Sequence, residues 1–275
     1  MTAATITAPA TTTVAGAPGG FLTHTVLITG RWLRAQLRQP FFLVFSLLQP
    51  AIWLLLFGQL FKGIVNLPGF SDTSYIAYLT PGIVIMTALL SSGWSGTSFL
   101  LDMERGVMDR MLTSPVRRGA LMAGQLASQA ASILVQGVIV LLIGMAAGAR
   151  YDGGPVGFAV TLGAAVLLAV AFCSLSNAVA LLTRQHTALI GIFQFVSLPL
   201  TFLSSVMMDP KLAPDWVATA ARYNPVDWAV VASREALSAS PDWGVVAWRG
   251  VLLTVFALVV GWLSTRAFRT YQRSV

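Results

Sequence analysis

Residues 102–125 read Asp102-Met103-Glu104-Arg105-Gly106-Val107-Met108-Asp109-Arg110-Met111-Leu112-Thr113-Ser114-Pro115-Val116-Arg117-Arg118-Gly119-Ala120-Leu121-Met122-Ala123-Gly124-Gln125. They form a charged island between two long uncharged runs. Residues 73–101 and 119–149 contain no Asp, Glu, Lys or Arg, and each run is long enough to cross a bilayer, which takes about 20 apolar residues in a helix. The island is therefore expected at a membrane surface. Within it Val107, Met108, Met111 and Leu112 recur at helical spacing, Glu104, Arg105, Asp109 and Arg110 supply the polar positions, and Pro115 ends the helix. A short amphipathic helix held between two spans rests on lipid headgroups or on a soluble partner, unless its charges serve only to orient the chain.

Working outward, hydrophobic residues make up 56% of the 275 residues and charged residues 10%. That is too little charge to cover a water-soluble globule of this length, so an integral membrane protein is expected. The formal charge of +7 does not point to nucleic acid, because the cations flank apolar spans instead of clustering on one face. One cysteine, Cys173, lies inside an apolar run, which excludes a disulfide framework and a cysteine-based metal site.

Residues 1–20 hold Ala, Thr, Pro and Gly without a charge and read as a disordered tail. From 21 to 39 the chain is amphipathic: Leu22, Val26, Leu33 and Leu37 share a face, with Arg31, Arg34 and Arg38 towards the first span. This is a helix in the headgroup layer, or one that extends the first span into water. The all-α fold expected has six spans, at about 41–61, 75–101, 121–149, 156–183, 188–206 and 245–265. Pro50 lies inside the first span, and Pro81-Gly82 is expected to break the second near its start. Between spans five and six, residues 207–244 carry prolines and two short helical pieces, about 214–223 and 226–239, whose Trp and Tyr content suits a membrane interface. Residues 21–275 thus form one transmembrane domain.

Charge orients these spans. With the island on the cytoplasmic side, six spans put both termini there too. Then 11 of the 17 basic residues fall inside and 6 outside, while three of the 10 acids fall inside and seven outside, as the positive-inside rule requires.

No Gly-x-x-x-x-Gly-Lys-Ser/Thr occurs, so the chain lacks a P-loop for ATP. His-Glu-x-x-His, Gly-x-Ser-x-Gly and paired acids within a span are absent too, and His24 and His186 sit at span edges, which gives no support to a membrane enzyme or a metal site. Spans one to five carry no ionisable residue at their centres. That argues against a proton-coupled carrier, though not against one that binds sodium through backbone and hydroxyl oxygens.

Glu104-Arg105-Gly106, the hydrophobic turn after it, then Leu112-Thr113-Ser114-Pro115-Val116-Arg117-Arg118 and Gly124-Gln125 resemble the loop pattern of ABC-2 type permeases, the membrane subunits of ATP-binding-cassette exporters. The likeness is to the daunorubicin, antibiotic-resistance branch. Asn224-Pro225 followed by Arg234 is similar to a second pattern of that family. The resemblance implies that Asp102, Glu104, Arg105, Gly106, Val107, Met111, Leu112 and Pro115 form a coupling helix for a separate ATPase subunit. It further implies that ATP is bound on that partner, that a second permease copy completes a homo- or heterodimer, and that the cargo is a hydrophobic or amphipathic drug. A glycolipid or polysaccharide is the alternative cargo.

Polar stripes cross the spans themselves. Gln194, Ser197, Thr201 and Ser204 share one helical face in span five, Ser46, Gln49 and Trp53 one in span one, and Thr80, Thr87, Ser91, Ser95 and Ser98 one in span two. Small hydroxyl residues let membrane helices pack closely. A large amide does not, and at that depth it needs a partner or water. Ser46, Gln49, Trp53, Ser91, Phe193, Gln194, Ser197 and Thr201 are therefore the candidate substrate path, with Gln49 and Gln194 expected to face a cavity between two copies.

Overall fold

The computed structural model describes residues 20–38, 40–61, 63, 74–106, 118–207 and 214–273, and these are helical throughout with short connections. In chain order the helices are α1 (Phe21–Leu37), α2 (Pro40–Leu60), α3 (Tyr75–Gly93), α4 (Ser95–Glu104), α5 (Arg118–Ala146), α6 (Gly154–Thr183), α7 (His186–Phe202), α8 (Asp215–Arg222), α9 (Pro225–Leu237) and α10 (Trp243–Arg273). Four stretches, Tyr75–Glu104, Met122–Ala146, Gly154–Thr183 and Trp243–Arg266, are long and apolar enough to cross a membrane, and Val44–Leu60 and His186–Phe202 are shorter apolar helices. Phe45, Ile52 and Leu56 on α2, Phe195 and Phe202 on α7, and Leu258 and Trp262 on α10 are all exposed. In water such faces would drive association, whereas in a bilayer they are the ordinary outer surface.

The core is built on α3 and α6. Leu79, Ile83, Ile85 and Leu89 of α3 and Leu168 and Phe172 of α6 are almost fully buried and belong to one cluster, which Leu253 of α10 and Val226 and Val230 of α9 join. An aromatic column links the far ends of α2 and α3. Trp53 and Phe57 stack at 4.9 Å, Phe57 and Phe61 at 5.5 Å, and Phe61 leads to Tyr75 at 5.8 Å.

Three features differ from the sequence-based expectation. First, α3 runs through Pro81 without a break, and the interruption falls at Trp94, between α3 and α4. Pro81 removes one backbone donor, a loss that helices inside a membrane tolerate. Gly82 is required there because a Cβ would lie 2.5 Å from the Val206 carbonyl oxygen. Gly82→Ala should therefore destabilise the purified protein by about 2 kcal/mol, as overpacked cores do. An unchanged thermal midpoint in detergent would count against this close approach.

Second, of the two short helices only α8 is largely exposed, with Trp216 at 65%. Helix α9 is packed into the helical bundle, which its Trp and its charges alone did not indicate. Val226, Ala229, Val230, Ala232 and Ala236 are buried, and a side chain on Gly153 or Gly157 would run into the Ala236 carbonyl. Its small residues let it wedge between spans, which composition alone conceals. Third, the fifth apolar helix begins at His186 and ends at Phe202, short of the expected 206. Arg184 makes the turn before it with φ 53°.

Helix α1 ends at Leu37, and α2 starts at Pro40, where a missing backbone donor costs nothing. Helix α1 lies along α5. Ile28 packs on Ala120 beside Trp32, and Thr29 Oγ1 donates to the Gly124 carbonyl at 3.1 Å. The face of Leu22, Val26 and Leu37 stays exposed.

Candidate functional site

The start of the island is a rigid helix end. Glu104 closes α4, Arg105 follows exposed, and Gly106 turns the chain with φ 64°. One ion pair and one histidine–carboxylate contact tie this end to neighbours of very different sequence position. Arg31 Nη2 of α1 donates to Asp102 Oδ2 at 2.8 Å, and His186 Nε2 at the start of α7 lies 3.2 Å from Glu104 Oε1. Val107, Met111, Leu112 and Pro115 fall outside the described residues.

The opposite end of α4 is held by a buried polar network. At the Trp94 interruption the Gly93 carbonyl accepts from Ser176 Oγ at 2.7 Å, and the Gly96 amide donates to the same oxygen at 3.1 Å. Gln125 Nε2 of α5 donates to the Ser95 carbonyl at 3.1 Å and to Ser95 Oγ at 3.0 Å. Asn177 Nδ2 of α6 donates to Gln125 Oε1 at 3.2 Å, and Ser95 Oγ lies 2.8 Å from Cys173 Sγ. Ser176 of α6 thus replaces backbone partners that the interrupted helix lost, Gln125 of α5 ties Ser95 beside it, and in a low-dielectric core such a satisfied network is stiff. Helix α4 is consequently a short lever, paired with α1 and α7 at one end and locked to α5 and α6 at the other.

Beside this lever lies a partly open cavity of about 430 Å³, bordered by α1, α2, α3, α4 and α5. Ser46, Gln49, Trp53 and Ser91 line it, joined by Thr87 and Ser98. Ser91 Oγ donates to Gln136 Oε1 at 3.0 Å, and Gln136 Nε2 reaches Ser46 Oγ at 3.5 Å. Phe193, Gln194, Ser197 and Thr201 lie elsewhere, on α7. Gln194 is exposed, Ser197 and Thr201 are buried with hydroxyls turned to their own helix at the Gln194 and Ser197 carbonyls, and Phe193 meets Phe172 edge-on at 6.5 Å.

Other lining residues were not singled out from sequence: Trp32 and Gln36 of α1, Trp94 between the helices, Thr97 of α4, and Gln129, Ser132 and Gln136 of α5. The signal was available. Gln125, Gln129, Ser132 and Gln136 recur at one helical face. Among the described residues no cluster of His, Cys, Asp or Glu fits a metal ion.

The family model described as ABC-2 type transporter matches residues 23–238, well over half of the chain. The protein belongs to the ABC-2 type transporter family. It is similar to the daunorubicin resistance ABC transporter permease protein DrrB1 of Streptomyces coeruleorubidus, at 29% identity over 85% of this chain and 80% of that one. It is 30% identical to the putative transport permease ycf38 of Pyropia yezoensis over 75% of this chain and 70% of that one. A third relative is the probable doxorubicin resistance ABC transporter permease protein DrrC of Mycobacterium tuberculosis, 21% identical over 86% of this chain and 87% of that one. As an ABC-2 permease the chain is a multi-pass membrane transport subunit without an ATPase domain, and it works with an ATP-binding subunit.

Proposed function

We propose that this permease carries a hydrophobic or amphipathic compound, a drug or antibiotic, out across the cytoplasmic membrane while ATP is hydrolysed on a separate subunit. The observation that carries this reading is the cavity of about 430 Å³ beside the island helix, whose described lining includes Trp32, Trp53 and Trp94 and no charged residue. It suits such a cargo in size and polarity, in a family whose members include drug-resistance permeases.

Val44–Leu60 and His186–Phe202 complete six spans in this reading. A helix of 17 residues reaches about 25 Å, close to the hydrocarbon thickness when the bilayer thins locally. Both termini and the island then face the cytoplasm. Asp102, Glu104, Arg105 and Gly106, with Val107, Met111, Leu112 and Pro115, dock in a groove of the ATPase. Two permease copies and two ATPases form the working assembly. Ser46, Gln49, Trp53 and Ser91 meet the cargo within one copy, and on α7 the exposed Gln194 amide, carried on the face of Ser197 and Thr201 beside Phe193, faces the second copy.

Inverted membrane vesicles holding the permease and its ATP-binding subunit test this directly. They are expected to accumulate an amphipathic drug only with hydrolysable ATP, and uptake that ignores ATP would rule the reading out. Accumulation of a lipid-linked glycan in place of the drug would transfer it to the glycolipid and polysaccharide alternative. Orientation has its own check. Single cysteines at Arg105 and Trp216 should react with an impermeant maleimide from opposite sides of the membrane, and reaction of both from one side would overturn the six-span topology.

A further inference from the structure

Helix α1 presents three sectors around its axis. Ile28, Trp32 and Gln36 face α5 and the cavity. Ile28 sits so close that a side chain on Gly124 would lie 2.6 Å from it, and Ser132 Oγ donates to Gln36 Oε1 at 2.5 Å. Leu22, Val26 and Leu37 make an exposed apolar sector. Arg31, Arg34 and Arg38, at i, i+3 and i+7, make a cationic sector beside it. The helix contains no acid to balance them. Arg31 reaches across to Asp102 of α4 at 2.8 Å. Arg34 and Arg38 are exposed, and neither side chain bonds any described residue.

One occupant matches both open sectors. A soluble acidic partner on Arg34 and Arg38 would leave Leu22, Val26 and Leu37 in water, and a neutral leaflet would cover those apolar side chains but give the two guanidinium groups no anion. An anionic leaflet supplies acyl chains directly beside phosphate oxygens, and the planar arginine fork bonds a phosphodiester through two parallel N–H groups. We propose that Arg34 and Arg38 bind anionic phospholipid of the cytoplasmic leaflet, and that the bound lipid sets the position of the α4 lever through the Arg31–Asp102 pair on the same helix. Because Trp32 and Gln36 belong to the cavity wall, the charge of the leaflet reaches the cavity as well. The choice of leaflet rests on the topology of the export reading. The preference for an anionic headgroup belongs to this chain alone.

Native mass spectrometry of the full chain, released from nanodiscs of equal phosphatidylglycerol and phosphatidylcholine, reads the retained lipid without the ATP-binding subunit. Phosphatidylglycerol should be retained at least tenfold in preference, since each basic residue near an anionic surface is worth about a factor of five. Arg34→Gln combined with Arg38→Gln should bring the ratio within about twofold of unity, and Arg34→Lys combined with Arg38→Lys should keep most of the preference. Arg266→Gln, which removes an exposed arginine of α10, should leave it unchanged. Equal retention in the parent, an unchanged ratio in the double glutamine variant, or loss in Arg266→Gln would overturn the assignment. So would displacement of the lipid by millimolar inorganic phosphate, which marks a free-anion site, or by the ATP-binding subunit, which marks a protein interface. The link to α4 has its own measurement. With the ATP-binding subunit added, ATP hydrolysis should rise at least threefold when phosphatidylglycerol replaces part of the phosphatidylcholine, and Arg31→Gln should abolish that rise while keeping the lipid preference. A rise that survives Arg31→Gln would refute the link. Lipid selectivity combined with ATP-independent transport would leave this site standing and remove the export reading. ATP-driven export combined with equal retention would do the opposite.

Discussion

Glu104→Lys combined with Arg105→Glu is expected to reduce ATP-driven export at least tenfold while the permease still reaches the membrane in normal amount. Folding should barely register the change. The side chain of Glu104 is 58% exposed and its contact with His186 is at 3.2 Å, and even a fully charged exposed pair contributes only about 0–1 kcal/mol. A docked interface is far less forgiving, because like charges brought together across it cost several kcal/mol, and each 1.4 kcal/mol is about a factor of ten in affinity. The two effects differ enough to separate partner coupling from stability. His186→Ala isolates the loss of the Glu104 contact, and export in that variant should stay within about twofold of the parent. The mechanical reason for a large effect lies in α4. In the proposed docking, a push on Glu104 and Arg105 would run along α4 to Ser95, which Gln125 holds from α5 at 3.0 Å, and so to the wall of the cavity. Normal cargo-stimulated ATP hydrolysis and export in the double variant would eliminate the island as the coupling element.

Much of this architecture was legible because membrane spans are written in long uncharged runs. The stretches on either side of the island became α3 with α4, and α5, with ends within a few residues of expectation at most boundaries. Proline misled at Pro81, where backbone geometry in a buried helix is set by neighbours and not by the residue alone. The true interruption, at Trp94, has no proline. It is stabilised by Ser176 and Gln125, which lie 82 and 31 residues away in the chain, and no local pattern reports such partners. Helix α9 was found in sequence, where its Trp and Tyr content suited a membrane interface, but composition could not say how Asp227 and Arg234 are held. Both are bonded inwards: Asp227 Oδ1 accepts from the Ser205 amide at 2.9 Å, and Arg234 Nε and Nη2 donate to the Tyr78 and Val206 carbonyls at 3.0 Å. For the candidate path, residue types sufficed to find Ser46, Gln49, Trp53 and Ser91. They could not say that Gln129 opens on the same space, since that depends on how α1 lies across α5.

Asn224→Leu should produce the largest loss of stability of any single change considered, lowering the thermal midpoint in detergent by about 10 °C. Asn224 is 4% exposed and serves two helix ends at once. Its Nδ2 donates to the Leu200 carbonyl at 2.7 Å and to the Leu203 carbonyl at 3.0 Å, where α7 ends after Pro199, and its Oδ1 accepts from the Val226 amide at 2.9 Å as the N-cap of α9. Helix termini leave backbone groups without intrahelical partners. Each group left unsatisfied in a buried setting costs about 1–3 kcal/mol, and leucine would orphan three of them. A loss of several kcal/mol corresponds to about 10 °C in a chain of this size. Asn224→Ser retains an N-cap oxygen but cannot reach both carbonyls, so its midpoint should fall between the parent and Asn224→Leu. The consequence extends to transport, because α9 meets α3 through the Arg234 guanidinium stacked 3.5 Å from the Tyr78 ring centroid. A loosened α9 releases the end of α3 whose other end borders the cavity, so a residual folded fraction of Asn224→Leu should also lose drug-stimulated ATP hydrolysis. A midpoint within about 2 °C of the parent would show that water replaces the amide, and that α9 docks through its small-residue packing alone.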